Sequence, residues 1–182
     1  YQETDNIDLL IVSLKYGALP TALDTIKQAT SQNTIVMSLM NGVDSEEIIG
    51  AKIGMSHILP ALIKVASHKE PDGYQFDRKS TICIIFGEYK PPFQSERVKV
   101  VCDLFEKSDI SYRVTDYIRE EIWSKFRLNV CNNLPQAILG AGVGCYRDSV
   151  HMKAISEGLR SEIEAIASAK GIEFSKIESS AK

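Results

Sequence analysis

The sequence is poor in the residues from which self-contained catalytic or metal sites are usually built. Its 182 residues include only three histidines, four cysteines and one tryptophan. His57, His68 and His151 lie too far apart in the chain to suggest a catalytic triad or a metal cluster. Cys83, Cys102, Cys131 and Cys145 form no Cys-x-x-Cys pair, so zinc-ligand spacing is missing and a disulfide scaffold is not expected at this length. No metal site is therefore expected. Three of the four thiols stand in apolar surroundings, where cysteine behaves as a small hydrophobe. No run of Lys and Arg suited to neutralising phosphates occurs, and the formal net charge is −3, so no nucleic-acid partner is expected. No apolar stretch reaches the length of about 20 residues that spans a bilayer, and no leader pattern is visible. A cytoplasmic protein without membrane contact is the expectation. A Gly-x-Gly-x-x-Gly turn is also missing. Gly140-Ala-Gly-Val-Gly144 is glycine-rich but follows a helical pattern rather than a strand, which removes the context that gives the motif its meaning.

What is present is a run of alternating elements. Ile7 to Leu14 is mainly apolar and reads as a central strand of a parallel sheet, covered on both faces. Thr21 to Thr30 carries Ala22, Leu23, Ile26 and Ala29 at helical spacing, with Pro20 at its start. Thr34 to Met40 reads as a second strand stopping at Asn41-Gly42, and Ser45 to Ile53 as a short helix opened by Glu46 and Glu47. Strand, helix, strand, helix is the grammar of a doubly wound sheet. His57 to Ala66 reads as a further strand. Tyr74 to Arg78 and Ser80 to Phe86 suggest an antiparallel pair, Ser95 to Ser108 an amphipathic helix, and Ser111 to Val114 a short strand. Beyond Asp116 the pattern is helical. One helix is predicted from Ile118 to Leu139 with a kink near Pro135, and a second from Ser149 to Lys170, stopped by Gly171.

The predicted fold class is α/β: the remainder of a Rossmann-like doubly wound sheet over residues 1–116, followed by the start of an all-helical domain over 117–182. The strand pattern begins within seven residues of Tyr1, and Ser179-Ser-Ala-Lys182 closes no element. The chain is accordingly read as part of a longer polypeptide, with a first βαβ unit expected upstream.

The candidate site residues sit at two places. Lys125, Asn129 and Asn133 are spaced by four, which puts them on one face of a helix whose neighbours Ile122, Trp123, Phe126, Leu128, Val130 and Leu134 are apolar. An ammonium and two carboxamides in line can grip a small oxygen-rich molecule. Three plainer readings stay open: a solvated helix face, a structural network closed by the amides, or a pairing of Lys125 with Glu121 one turn earlier. The other place is the carboxyl end of the strands, where ligands bind in open α/β sheets. Lys15 closes the first strand and Asn41-Gly42 the second, although a strand-end Lys can simply be solvated and Asn-Gly can simply be a turn. Ile155, Leu159, Ile163 and Ile166 suit core packing as well as they suit a homodimer interface.

A strand ending in Lys, a strand ending in Asn-Gly, and then Trp-x-Lys-x-x-x-Asn-x-x-x-Asn on the first helix of a helical domain resemble the ketopantoate reductase family. The likeness extends over essentially the whole chain, and the Trp-Lys-Asn-Asn string is its most specific part. The resemblance implies NADPH-dependent reduction of a small 2-oxo acid to its 2-hydroxy acid, on the route to pantothenate and coenzyme A. It implies Lys125 as proton donor, Asn129 and Asn133 as substrate-binding amides, and Lys15 and Asn41 beside the nicotinamide, with Asn41 also near the substrate. Where many relatives carry a further Asn, an ungapped count places Val143.

Overall fold

The computed structural model describes residues 6–65, 67–76 and 83–180. The chain divides into two compact units, Tyr1–Ile118 and Arg119–Lys182.

In the first unit, β1 (Leu9–Val12) runs parallel to β2 (Ile35–Ser38), with Leu9 opposite Ile35 and Val12 opposite Ser38. A parallel pair needs a crossover, and α1 (Leu19–Gln28) supplies it. Pro20 falls in its first turn, where no amide hydrogen is required, and Leu19 and Ile26 are buried. A three-residue 3₁₀ turn, Tyr16–Ala18, joins β1 to this helix. After β2 comes α2 (Ser45–Ile53) and a second 3₁₀ turn, Met55–His57. A parallel bridge between Val36 and Ile58, with the Leu59 amide donating to the Val36 carbonyl at 2.9 Å, leads to β3 (Ala61–Lys64). β4 (Ser67–Glu70) and β5 (Gly73–Phe76) make a hairpin of their own. β6 (Cys83–Phe86) pairs antiparallel with β3 and parallel with β7 (Tyr112–Val114), which α3 (Glu96–Lys107) precedes.

Two apolar clusters hold this unit. Met37, Leu59, Phe86, Val98 and Phe105 dominate one, and Val12, Leu19, Val36 and Ile49 the other. The Phe105 ring meets Phe86 edge-on at 5.7 Å and Tyr112 at 5.9 Å.

Three expectations change. β1 is not covered on both faces: Ile11 is 41% exposed, and among the described residues β1 pairs with β2 alone. The strand expected from His57 begins at Ala61. Gly54, at φ +100°, ends α2, and the His57 ring is drawn to the Thr34 carbonyl at 2.9 Å. The pairing expected between 74–78 and 80–86 is replaced. Gly73–Phe76 returns along Ser67–Glu70, whereas Cys83–Phe86, buried on both faces, takes β3 and β7 as neighbours. Residues 77–82 lie outside the described ones.

The second unit is helical. α4 (Ile118–Leu128) reaches it from the first unit and passes into a single π-helical turn, Asn129–Asn133, and then α5 (Leu134–Leu139). The helix expected over 118–139 thus contains one wider turn, which ends just ahead of Pro135. Proline has no amide hydrogen for the carbonyl four residues back and its ring crowds that carbonyl. The wider turn relieves this by letting the Leu134 amide reach the Asn129 carbonyl. Gly140 then ends α5 in the left-handed region, φ +61°, with the Ala141 amide on the Gln136 carbonyl at 3.0 Å.

α6 (Cys145–Asp148) leads to α7 (Val150–Ala169), whose first turn is capped by the Ser149 hydroxyl accepting from the Met152 amide. Gly171, at φ +72°, terminates it, as the sequence indicated. α8 (Ser175–Ser180) had no counterpart among the predicted elements. On α7, Ile163 is buried while Ile155 and Ile166 are about half exposed. All four cysteines are free thiols, and Cys83 and Cys131 are buried.

Candidate active site

In the first unit, parallel pairing of β1 and β2 brings their carboxyl ends side by side, and the loops that leave them carry Lys15 and Asn41. Both side chains are exposed. The loops are tied together: the Tyr16 hydroxyl donates to Asp44 Oδ2 at 2.8 Å. That hydrogen bond to a carboxylate, with the carboxylate's charge, holds the Tyr16 phenol above its ordinary pKa. Gly42 sits at φ +120°, a backbone state closed to side chains with a Cβ, so the residue after Asn41 has to be glycine. Beneath this turn three polar side chains are buried in a line. Ser38 Oγ lies 2.8 Å from Ser45 Oγ, and Ser45 donates to Glu46 Oε2 at 2.8 Å. Burial pushes the Glu46 carboxyl above its usual range, and hydrogen bonds from Ser45 and from the backbone amides of Glu46 and Ala61 pull it part of the way back.

In the second unit, half-buried Lys125 stands in the last turn of α4, and Asn129 and Asn133 open and close the π-turn. The Asn133 amide donates to Asn129 Oδ1 at 2.8 Å, so the two carboxamides are joined to each other. This pair keeps the Asn129 NH2 and the Asn133 carbonyl oxygen, a donor group and an acceptor, to offer to a ligand. The backbone of the turn is held by side chains. The Asn132 carbonyl accepts from the Tyr146 hydroxyl at 2.5 Å and from Gln136 Nε2 at 3.1 Å. Behind it, Arg127 donates to Glu164 at 2.6 Å and lies 4.1 Å above the Phe174 ring, fixing α4 against α7.

Sequence reading missed several of these groups. Tyr16 and Asp44 tie the two strand-end loops, and the only sequence signal is that Tyr16 follows Lys15. Glu46 was read only as one of two acids opening a short helix, and it is 3% exposed. Asn132 was passed over beside the in-line pair, yet its Oδ1 is buried without a hydrogen-bond partner among the described residues. A cavity of about 980 Å³ opens at the amino ends of β1 and β2, lined by Asp8, Asn33, His57, Arg97 and Lys107 among others. It is at the opposite end of the strands from Lys15 and Asn41 and contains none of the predicted site residues.

Two family models match this sequence: Ketopantoate reductase PanE/ApbA over residues 1–89, and Ketopantoate reductase PanE/ApbA C terminal over residues 117–181. The chain belongs to the ketopantoate reductase family. The 2-dehydropantoate 2-reductase of Pyrococcus horikoshii is 29% identical over 167 residues, covering 92% of this chain and 54% of that protein. The crystal structure of 2-dehydropantoate 2-reductase from Geobacter metallireducens superposes with a TM-score of 0.77 at 24% identity, over 93% of this chain and 56% of that one. D-mandelate dehydrogenase in ternary complex with NADH and anilino(oxo)acetate superposes with a TM-score of 0.81 at 19% identity, over 95% and 55%. These likenesses establish the α/β fold with its helical second part. The chain spans about half the length of the curated relatives it matches.

Proposed function

We propose that the full-length protein reduces 2-dehydropantoate, a small 2-oxo acid, to pantoate with NADPH. Residues 1–116 serve as the cofactor-binding part and residues 117–182 open the substrate-binding part. The observation that carries this reading is the half-buried Lys125 one turn ahead of a bonded Asn129–Asn133 pair on a π-turn, in a chain of this family.

The strand ends suit a nicotinamide. Lys15 and Asn41 offer an ammonium and a carboxamide, Leu14 and Tyr16 present exposed apolar surface, and Gly42 allows close approach at a turn that Tyr16 and Asp44 hold in place. When bound, a reduced nicotinamide supplies the hydride; the protein supplies geometry and field. As the substrate carbonyl carbon is reduced, its oxygen gains negative charge. The Lys125 ammonium stabilises that charge and gives the oxygen a proton, and water restores the proton to the amine afterwards. Asn129 and Asn133 hold the carboxylate and hydroxyl groups, which fixes the carbon in place.

The test is nicotinamide oxidation by the full-length protein with 2-dehydropantoate, with Lys125→Ala beside it. Turnover of the variant is expected to fall by about 10²–10⁴ while the cofactor Kd is retained. Undiminished turnover removes Lys125 from the mechanism. Activity confined to other 2-oxo or 3-hydroxy acids in a substrate panel moves the assignment to a related dehydrogenase. Cofactor binding without any turnover reduces it to a binding module of the same fold.

A further inference from the structure

We infer that Ser38, Ser45 and Glu46 form a one-directional hydrogen-bond relay that sets the Asn41–Gly42 turn, so that Glu46 is a positioning residue for the nicotinamide edge. Calling that edge a nicotinamide site rests on the function proposed above; the relay itself does not.

The direction follows from counting hydrogens. A serine hydroxyl has one proton to give. Ser45 gives its proton to Glu46 Oε2 at 2.8 Å, so the 2.8 Å contact between the two serines must use the proton of Ser38. The Met40 amide then points to Ser38 Oγ at 3.4 Å. Amide, hydroxyl, hydroxyl and carboxylate thus line up from the loop to Glu46. The end of β2 and the start of α2 are thus linked through hydroxyls to one buried carboxylate.

Its position gives the relay leverage. Ser38 is the last residue of β2 and Ser45 the first of α2, so their contact staples both ends of the loop 39–44 that presents Asn41. All three side chains are at most 3% exposed, so water cannot take the place of a lost partner. A glutamate serving only the helix dipole would sit in solvent, as the adjacent Glu47 does. Glu46 instead accepts the cost of burial, which points to a demand for fixed geometry at the turn.

The test compares Ser45→Ala and Glu46→Gln with Glu47→Ala in the full-length protein, by amide hydrogen exchange and by kinetics. In the first two variants exchange over 39–44 is expected to quicken about tenfold, with 83–86 unchanged, whereas Glu47→Ala leaves both as they are. With 2-dehydropantoate as substrate, kcat is expected to fall about tenfold in the same two variants while the NADPH Kd moves less than about twofold. Unaltered exchange over 39–44 in Ser45→Ala overturns the relay. A loosened loop with normal kcat overturns the positioning role. Should Glu46→Gln lose its fold throughout, Ser45→Ala, which breaks the relay at its middle hydroxyl and keeps Glu46 in place, decides the matter. If the unmodified protein binds neither NADPH nor NADH, the proposed function falls, and the exchange comparison still decides whether the relay exists.

Discussion

Arg97→Ala would remove the guanidinium that holds the loop after β6 to the start of α3. Arg97 Nε and Nη2 donate to the two oxygens of Glu88 at 2.7 and 2.5 Å, and Nη1 donates to the Ser56 carbonyl at 2.7 Å. Ser95 Oγ also donates to Glu88 at 2.6 Å while capping α3 through the Val98 amide. Exposed ion pairs are worth about 0–1 kcal/mol, and breaking a buried one costs about 3–5 kcal/mol. Glu88 and Arg97 side chains are 11% and 27% exposed, and the contact is a two-pronged fork, so the pair lies nearer the buried case. The variant keeps a nearly buried carboxylate with one side-chain donor and leaves the Ser56 carbonyl unserved. A loss of about 3 kcal/mol is expected, or about 6–12 °C in Tm for a chain of this size.

Circular dichroism and amide exchange in α3 and β6 should report it. Acid provides a second check. Burial alone would raise the Glu88 carboxyl, but Arg97 and Ser95 outweigh it and hold the pKa below its ordinary value. The stabilisation is then complete above the unfolded-state pKa and disappears as pH falls through the lower folded-state value. The gap between parent and variant must therefore narrow in acid, towards what the Ser56 contact alone contributes. A loss below about 0.5 kcal/mol, or a gap as wide at low pH as at neutral pH, would refute the argument.

Gly87→Ala should destabilise the first unit by about 2–3 kcal/mol or more, because its Cβ would stand 2.0 Å from the Thr115 carbonyl oxygen, a backbone atom that cannot swing away; the urea midpoint measures this, and an unchanged midpoint would mean that β6 and β7 part freely. Asn133→Ala should change stability by less than about 1 kcal/mol, since the amide bond it breaks is exposed. It should nonetheless raise the KM for the 2-oxo acid about tenfold, because the remaining Asn129 amide loses its orientation; an unaltered KM would leave the pair a structural role only.

The alternation of strands and helices was legible because each segment has a local cause. Pro20 opens α1, Ser95 caps α3 with a bonded hydroxyl, and Gly171 takes the left-handed turn after α7. Tertiary partners were not legible. The run Cys83–Phe86 says only that both faces are covered, and whether a strand pairs with β3 or with β5 depends on residues far away in the sequence. Site residues followed the same division. Lys15 and Asn41 could be placed at strand ends from the local pattern, whereas the link between their loops depends on Tyr16 and Asp44, 28 positions apart. Glu46 was legible as a helix-opening acid but not as a buried one, because charge patterning reports how a helix begins, while burial is decided by what packs above it.

The Asn129–Asn133 segment shows how local and distant causes combine at one place. Spacing by four identified a shared face, and Pro135 announced a disturbance of the helix, both from the sequence. The form of the disturbance needed more. A π-turn exposes carbonyls that an α-helix would satisfy, and it persists only where other donors serve them. Here Gln136 reaches back from the next turn, and Tyr146 reaches in from beyond the Gly140–Gly144 break, both to the Asn132 carbonyl. The turn also draws the two amides into one hydrogen-bonded unit instead of leaving them as separate side chains on a stripe. Pro135 therefore does more than end a regular helix. By disfavouring an α-turn at this point, it leaves Asn129 and Asn133 at the two ends of a wider turn, joined by a hydrogen bond.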